Sequence, residues 1–505
     1  MSGPGASAIA VALLLASGCD WEHFGLVNSV PVPPPQHAGR PVHVFLGLDG
    51  VSRAAFDDAV SEGAFAGFST STLIPMYPAT SDASWSRMLH TRRFPGYEYT
   101  YYDETRDEIV DPGLAGILQH VIPPFDGTPF GDHASNAPAY YKAFDVHASD
   151  YFDAIGSYQS TLLSFARALD QIFFILAGRL DTQDVFFAYI LETDVLGHSD
   201  SRAAVVSALK TLSARMGEFR DHHREYPITF TLMTDHGLDH VEKPLDHVLT
   251  TTDEVAATGV RTVRSAVEGR RGAQPWAIVI EHTRTTYVAV HTEEAQAGEV
   301  ARRISTNAKF DLVVSRALPG AGEALPDAWP RVAIWKDGAR AAYFVFDADH
   351  DVYWLAGDLD QAALGVTLPL GADPFTPFSD DALFAATMGE AYPDLFFRAR
   401  TSLEPVSVDH PAQVVASLKT DYVCVGYKAP GFGSAGTAGS HGSLARAASE
   451  GILASQDRAL PQYTRSDNVL DMFPELRAHI EERHGPLAPG DPNAGLAGQQ
   501  TPARP

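Results

Sequence analysis

Two short stretches of the sequence place a carboxylate and an imidazole at spacings that allow both to bind one metal ion. In "ETDVLGHSD", Asp194 and His198 are four residues apart, so one helical turn can direct both side chains towards the same ion. In "TDHG", Asp235 and His236 are adjacent, and the glycine that follows permits a turn in which they converge. These pairs indicate binding of divalent cations. Helix caps and turn residues are the alternative interpretation.

Acidic residues follow three apolar segments that have the composition of buried strands. The segments "VHVFLGL", "VFFAYIL" and "ITFTLMT" are almost continuously apolar, as in parallel strands covered on both faces, and helical patterns lie between them. The acids that follow these segments are Asp49, Asp194 and Asp235. Because ligands of open α/β sheets bind at the carboxyl ends of the strands, we expect a site at this edge of a mostly parallel sheet.

The remaining sequence divides into segments of different composition. Residues 245–345 interrupt the alternation of strand and helix patterns, which predicts an inserted α+β subdomain that covers the site. Prolines dominate the stretch near residue 35, and small and polar residues dominate the C-terminal end. The predicted segments are a lipoprotein signal peptide (1–18), a proline-rich tether (19–41), the first part of the catalytic core (42–244), the inserted cap (245–345), the completion of the core (346–483) and a disordered tail (484–505).

The first twenty residues have the features of an export signal. The apolar stretch 8–16 is too short to span a membrane but matches the central region of a signal peptide. The "LLASGC" that follows resembles a bacterial lipobox, which would place a lipid on Cys19 and anchor an extracytoplasmic protein to a membrane. An ordinary secretory signal is the alternative. Cys424 is the second of the two cysteines, so a metal site must use His, Asp and Glu.

The charge balance bears on the class of partner. The formal net charge of the 505-residue chain is −26. General attraction to the phosphate backbone of a nucleic acid polymer is therefore not expected. A local positive site made by metal ions would not appear in this sum.

Five segments in this order resemble the alkaline phosphatase superfamily, specifically its phosphodiesterase and nucleotide pyrophosphatase-like branch. They are "GLDGVSR", "YPATSDASWSRML", "ETDVLGHSD", "TDHG" and "GSHGSLARAASEGIL", and the resemblance runs from about Val42 to about Arg483. It implies a three-layer α/β/α sandwich with a mostly parallel sheet and an inserted α+β cap subdomain.

The resemblance also implies two divalent metal ions, usually zinc, and a hydroxyl nucleophile. The position that matches the nucleophile is Ser81, with Thr80 as the alternative if the register is shifted by one residue. The implied ligands are Asp194, His198 and His441 for one ion, and Asp49, Asp235, His236 and Ser81 for the other.

Candidate substrate contacts follow the first two motifs. Ser84 stands where nucleotide-cleaving relatives carry an asparagine. Arg53 and Arg87 are placed where they could clamp a phosphate, and a structural or surface role is the stronger alternative for each. Asp82 follows the candidate nucleophile, and no role is assigned to it. His240 is interpreted as a surface histidine, as is His247.

The resemblance predicts a metal-dependent hydrolase of phosphoric esters that acts on small anionic substrates. The expected activity is that of a phosphodiesterase with a covalent phosphoserine intermediate. Two alternatives stay open. One is a phosphomonoesterase or phosphotransferase that uses the same site, and the other is a non-catalytic surface binding protein on a hydrolase scaffold.

Overall fold

The computed structural model describes residues 37–111, 139–147, 161–240, 248–282, 284–320, 323–424 and 439–487. The predicted signal peptide with Cys19, His247 and most of the predicted tail lie outside the described residues. Within them, no helix has both the length and the apolar composition needed to cross a bilayer.

Strands and helices alternate along the chain, as the sequence predicts. The strands are β1 Val42–Leu48, β2 Ser69–Ile74, β3 Tyr101–Asp103, β4 Glu108–Val110, β5 Val146–His147, β6 Val185–Ile190, β7 Ile228–Thr234, β8 Asp239–His240, β9 Val248–Leu249, β10 Arg261–Thr262, β11 Trp276–Ile280, β12 Tyr287–His291, β13 Phe310–Arg316, β14 Arg331–Lys336, β15 Ala339–Asp347, β16 Val352–Ala356, β17 Phe375–Ser379, β18 Val414–Leu418, β19 Val423–Cys424, β20 Gly439–Ser440, β21 Gly451–Ser455 and β22 Tyr463–Arg465. The α-helices are α1 Arg53–Ser61, α2 Ser81–Met88, α3 Thr161–Ala177, α4 Glu192–Ser199, α5 Arg202–His222, α6 Thr251–Ala257, α7 Ala266–Gly269, α8 Glu294–Ile304, α9 Gln361–Leu364, α10 Asp380–Thr387, α11 Leu395–Ser402, α12 Val469–Met472 and α13 Pro474–His484.

The first sheet has seven strands in the order β22-β2-β21-β7-β1-β6-β5. Strands β7, β1, β6 and β5 are parallel neighbours, and β2 is parallel to β22. Strand β21 runs antiparallel to both β2 and β7. The sheet is therefore mostly parallel, and its neighbouring strands β7, β1 and β6 are the three apolar segments that precede the acids.

Helices cover both faces of this sheet. Side chains alternate along β1, so Leu46 packs in a cluster with α1, α3 and α5, whereas Phe45 packs in a second cluster with α2, α12 and α13. Leu46 and Phe45 are both fully buried. Burial on both faces explains the nearly continuous apolar composition of these strands and produces the three-layer α/β/α sandwich.

A second sheet of nine strands has the order β10-β11-β12-β18-β13-β14-β15-β16-β17. It is antiparallel except at the β10–β11 pair. The boundary that the sequence suggested at residue 345 falls inside β15, and the sheet continues to β18. An apolar pattern predicts a strand but not the sheet that the strand joins. Strands β16 to β18 were therefore included in the predicted completion of the core.

Buried ion pairs join the two sheets. Arg465, at the end of β22, contacts Asp380 at the start of α10 and Asp394 just before α11. Its guanidinium also lies 4.0 Å from the centre of the Phe397 ring. Because buried charges are tolerated only when paired, these contacts fix the helices of the second sheet against the edge of the first.

Candidate metal centre

Three carboxylates meet at one edge of the first sheet. Asp49 directly follows β1, Asp235 directly follows β7, and Asp194 lies in the first turn of α4, just after β6. These strands are parallel neighbours in the order β7-β1-β6, so their carboxyl ends lie side by side. Asp49 and Asp235 are fully buried, and the side chain of Asp194 is 13% exposed.

Carboxylate and imidazole atoms form two overlapping clusters at this edge. One contains Asp49, Asp235 and His236, and the other contains Asp194, His236 and His441, with the possible ligand atoms of each cluster within 4.8 Å of one another. His198 borders the second cluster, since its Nε2 lies 3.4 Å from Asp194 Oδ1. The structure therefore brings all the candidate metal ligands together, with His236 between the two clusters.

All three imidazoles have the same orientation relative to the carboxylates. A backbone carbonyl accepts the Nδ1–H of each ring, which leaves Nε2 unprotonated and turned towards the clusters. The pairs are His198 with Gly439 (2.8 Å), His236 with Gly237 (3.1 Å) and His441 with Ala79 (2.7 Å).

When the acids are ionised, as metal binding requires, the contacts between these rings and the carboxylates contain no hydrogen. His236 Nε2 lies 3.3 Å from Asp235 Oδ2 and 3.5 Å from Asp49 Oδ1. Asp235 Oδ2 and Asp194 Oδ1 are buried without a hydrogen-bond partner among the described residues. An unprotonated nitrogen and a carboxylate oxygen present lone pairs to each other. A cation between them would turn this repulsion into coordination, so the residues present fit a metal ion.

Burial shifts the pKa values of the acids and of the imidazoles in opposite directions. Desolvation, with the charges of the neighbouring acids, raises the pKa of Asp49 well above its ordinary value, and desolvation raises the pKa of Asp235 to about 8. Desolvation lowers the pKa of His198 to about 4 and that of His236 well below the ordinary range. The imidazoles are therefore neutral at pH 7, and in the absence of a cation the Asp235 carboxyl holds a proton at this pH; a divalent cation at the site would displace that proton.

Of the two candidate nucleophiles, Ser81 is the one beside the clusters. Its hydroxyl lies 3.1 Å from Asp49 Oδ1, to which it donates, and 3.2 Å from His236 Nε2. Thr80 is buried and donates its hydroxyl to the carbonyl of Tyr97, 2.5 Å away. The geometry therefore places Ser81, and not Thr80, beside the clusters. The sequence alone could not choose between them, because the register of the motif could be shifted by one residue.

The other candidate substrate contacts differ in their surroundings. Ser84 is fully buried one turn after Ser81, and its hydroxyl has no hydrogen-bond partner among the described residues. The guanidinium of Arg53 is paired with Asp57 on the same helix, at 2.8 Å. The guanidinium of Arg87 is buried and paired with Asp467, at 2.6 Å. Both guanidinium groups therefore have structural partners.

Tyrosine hydroxyls hold two of the acids, which the sequence did not indicate. Tyr189, in β6, donates to Asp49 Oδ2. Tyr140 donates to Asp82 Oδ1 at 2.8 Å, and Tyr99 also hydrogen-bonds this carboxylate. Tyrosines in apolar segments resemble ordinary core residues, so only the folded geometry identifies them as partners of the acids.

A third cluster, of His43, Asp457 and Glu475, has a different character. Arg458 lies 2.6 Å from both carboxylates. His43 Nε2 is 2.7 Å from the Thr231 hydroxyl, and its Nδ1 is 3.2 Å from Glu475. Its acids are already neutralised by a guanidinium, so this cluster does not require a metal ion.

Comparison with known proteins finds similarity in structure only. No protein-family model and no curated protein sequence matches the chain. The murine ectonucleotide pyrophosphatase / phosphodiesterase 5 is similar in structure, with 11% identity and a TM-score of 0.42 over 89% of this chain and 97% of that one. Its inactive variant in complex with AMP gives 11% identity and a TM-score of 0.43 over 86% and 94%. The human protein gives 8% and 0.44 over 87% and 95%. Similarity at this level does not indicate what this chain acts on.

Gly237 allows the turn that positions Asp235 and His236. A Cβ atom there would lie 2.0 Å from the carbonyl oxygen of Glu450. We expect Gly237→Ala to lower the free energy of unfolding by about 1–3 kcal/mol and to weaken metal binding, because the turn must shift. The matched control is Gly217→Ala in α5, where a Cβ has nothing within 4 Å, and it should stabilise the protein by about 0.5–1 kcal/mol.

Urea unfolding followed by circular dichroism measures the stabilities of the two variants, and elemental analysis after dialysis measures their metal content. Equal behaviour of the two alanine variants would contradict this account of the turn.

Proposed function

We propose that the protein is a metal-dependent hydrolase of phosphoric esters, with phosphodiesters of small molecules as its substrates. The observation that supports this most strongly is the arrangement around Ser81. Its hydroxyl lies 3.1 Å from a carboxylate oxygen of Asp49 and 3.2 Å from Nε2 of His236, beside acids and imidazoles that would bind a cation once the acids are ionised. An activated serine beside a cation site is suited to attack on an anionic ester.

The proposed cofactors are two divalent ions, zinc by the character of the nitrogen and oxygen donors. When bound, they would lower the pKa of the serine hydroxyl and neutralise charge on the phosphoryl oxygens. The proposed ligands are Asp194, His198 and His441 for one ion, and Asp49, Asp235, His236 and Ser81 for the other.

The residues of this chain then have distinct tasks. Ser81 Oγ loses its proton to water and attacks phosphorus, the bond to one ester oxygen breaks, and the leaving alkoxide takes up a proton from water. Water next attacks the phosphoserine and restores the serine hydroxyl, with release of the phosphorylated product. Ser81 is the first residue of α2, so the positive end of that helix also faces the anion. The buried hydroxyl of Ser84, one turn later, is a candidate donor to a phosphoryl oxygen.

Two other functions are compatible with the same residues. A phosphomonoesterase or phosphotransferase would use the identical site, and relative turnover of 4-nitrophenyl phosphate and bis(4-nitrophenyl) phosphate distinguishes these activities from a diesterase. A non-catalytic binding protein on the same scaffold would bind metal and phosphate but turn over neither ester. The position of Ser81 beside the clusters favours an enzyme.

Substitution of the two neighbouring hydroxyls tests the assignment of the nucleophile. We expect Ser81→Ala to lower kcat at least about a thousandfold with unchanged metal content, because the group that attacks phosphorus is lost. Thr80→Val is the matched control, since it removes a hydroxyl that points at the Tyr97 carbonyl. It should cost about 1 kcal/mol of stability and leave kcat within tenfold.

Turnover of both nitrophenyl esters by metal-loaded protein, with and without a chelator, is the measurement. An active Ser81→Ala enzyme, or activity that survives complete removal of metal, would refute the proposed mechanism.

The hydrogen bond from Tyr189 to Asp49 predicts an effect on metal affinity. Partners of a metal ligand orient it, so we expect Tyr189→Phe to weaken metal binding by about 10–100-fold. Tyr226→Phe is the matched control, because the Tyr226 hydroxyl is bonded to Asp181 instead. Competition with a chromophoric chelator measures both affinities. The orienting role would be excluded by equal affinities in the two phenylalanine variants.

We also propose that the mature protein is an extracytoplasmic lipoprotein anchored through Cys19, on the basis of the lipobox-like "LLASGC". Cys19→Ala should move the protein from the membrane fraction to the soluble fraction after expression in a bacterial host. Cys424→Ala is the control, because Cys424 is a buried free cysteine and should not affect the distribution. Wild-type protein in the soluble fraction would contradict the lipid anchor.

A further inference from the structure

Residues 261–271, at one edge of the second sheet, have the opposite charge to the chain as a whole. This segment begins with β10 and contains α7, and its four arginines and one glutamate give a net charge of +3 in a chain of net charge −26. Arg264, Arg270 and Arg271 are exposed. The guanidinium of Arg270 pairs with Glu293 at 2.7 Å. Within the part of the chain that the structure describes, neither of the other two exposed arginines forms an ion pair. Their charge is therefore presented to solvent.

Hydrogen bonds within the segment close it into a compact turn. The Glu268 N–H donates to the Ser265 hydroxyl at 3.2 Å, and Glu268 Oε2 accepts the N–H of Arg264 at 3.0 Å. Reciprocal bonds of this kind cap the start of a helix. Arg261 donates to the carbonyls of Glu268 and Gly269 at the end of α7. The one acid of the segment is thus directed at the backbone.

Contacts with the rest of the protein fix the position of α7. Asp107, in the β3–β4 hairpin, accepts the N–H of Ala266 at 2.5 Å and that of Val267 at 3.0 Å. A Cβ atom on Gly269 would lie 2.2 Å from the ring of Trp276, so α7 packs closely on the start of β11. Val267 nevertheless remains 52% exposed. The turn therefore holds an exposed apolar residue between arginines in one conformation.

We propose that this basic turn, residues 261–271, docks on the surface of a membrane that contains anionic phospholipids. Guanidinium groups bind lipid phosphates, and an apolar side chain between them suits the interface of headgroups and acyl chains. The rest of the chain carries all of the net negative charge, and an anionic bilayer repels it over roughly 8–10 Å. Charge complementarity therefore selects this face. The inference goes beyond the proposed hydrolysis and does not depend on it.

The proposed lipid on Cys19 would not by itself orient the protein. Residues 20–36 separate Cys19 from His37, the first described residue, and a chain of that length can span up to about 60 Å. So few arginines give only weak and reversible binding. The anchor would therefore hold the protein at the membrane, and the turn would determine which face meets the bilayer.

The turn and the candidate metal centre lie at different ends of β11. The turn packs on Trp276, the first residue of β11, whereas Thr285, which follows the last residue of that strand, forms an isolated β-bridge with His441. Substitutions in the turn should therefore leave turnover of a soluble ester unchanged, so membrane binding can be tested separately from catalysis.

Sedimentation with lipid vesicles tests the proposal. Full-chain protein with Cys19→Ala, which has no lipid attached, is mixed with vesicles of phosphatidylcholine alone or with phosphatidylglycerol. We expect binding only to the anionic vesicles, and weaker binding at about 0.5 M salt than at about 0.1 M. Replacing both Arg264 and Arg271 by alanine should lower the partition coefficient about thirtyfold, since each arginine near an anionic bilayer is worth roughly fivefold.

The matched control is the double substitution Arg220→Ala and Arg224→Ala. It removes the same charge from two exposed arginines near the end of α5, where Asp221 and Glu225 are neighbours in the sequence. This variant should bind anionic vesicles at least as well as the parent protein. Bis(4-nitrophenyl) phosphate in solution should be turned over equally by all variants, and absence of turnover would count against the hydrolase proposal only.

Two further variants separate a bilayer from a soluble polyanion. Val267→Ser should weaken binding to anionic vesicles severalfold and leave binding to heparin unchanged, because only a bilayer receives the apolar side chain. Replacing both Arg264 and Arg271 by lysine keeps the charge and should preserve vesicle binding. Equal binding to neutral and anionic vesicles, or equal binding by the two double-alanine variants, would overturn the inference. Binding to heparin but not to anionic vesicles would also overturn it and would assign the turn to a soluble polyanion.

Discussion

The contact between buried carboxylate oxygens and unprotonated imidazole nitrogens is the constraint around which this structure is organised. Parallel strands β7, β1 and β6 bring three acids to one edge of the sheet, where two of them have no exposure to water. Neutral rings face them, each fixed through Nδ1 by a backbone carbonyl. Without a cation, such a site loses hydration and gains no compensating charge. The donors are thus held in position at an energetic cost to the fold, as is typical of a binding site.

The second sheet takes part in that arrangement. His441 belongs to a segment whose backbone is bonded to residues 285 and 286 on one side and, through Gly439, to His198 on the other. The buried guanidinium of Arg398, in α11, binds the carbonyls of Ser443 and Leu444 just beyond it. Because buried carbonyls need donors, this arginine fixes a glycine-rich stretch that would otherwise have many conformations. The second sheet and the helices that pack on it therefore position His441, a candidate metal ligand.

The strands of the first sheet and the position of the candidate site could be predicted from the sequence. Apolar segments that end at Asp49 and Asp235 indicate strands and the edge where a site lies, and the ordered motifs point to Ser81. The extent of the second sheet could not be predicted, since β18 lies between β12 and β13 in the sheet although about a hundred residues separate it from β13 along the chain. The hydrogen bond from Tyr189 to Asp49 could not be predicted either, because it joins residues 140 positions apart. Such pairings have no local signal.

Asp82 shows how the structure removes an apparent conflict. A carboxylate directly after the nucleophile would repel an anionic ester if it faced the same space. The hydroxyls of Tyr140 and Tyr99 hydrogen-bond it, and these donors stabilise its negative charge. The same reasoning applies to the whole chain. A net charge of −26 is screened by salt over roughly 8–10 Å. Attraction of a small anion thus depends on cations close to Ser81, which ions held by the candidate ligands would provide.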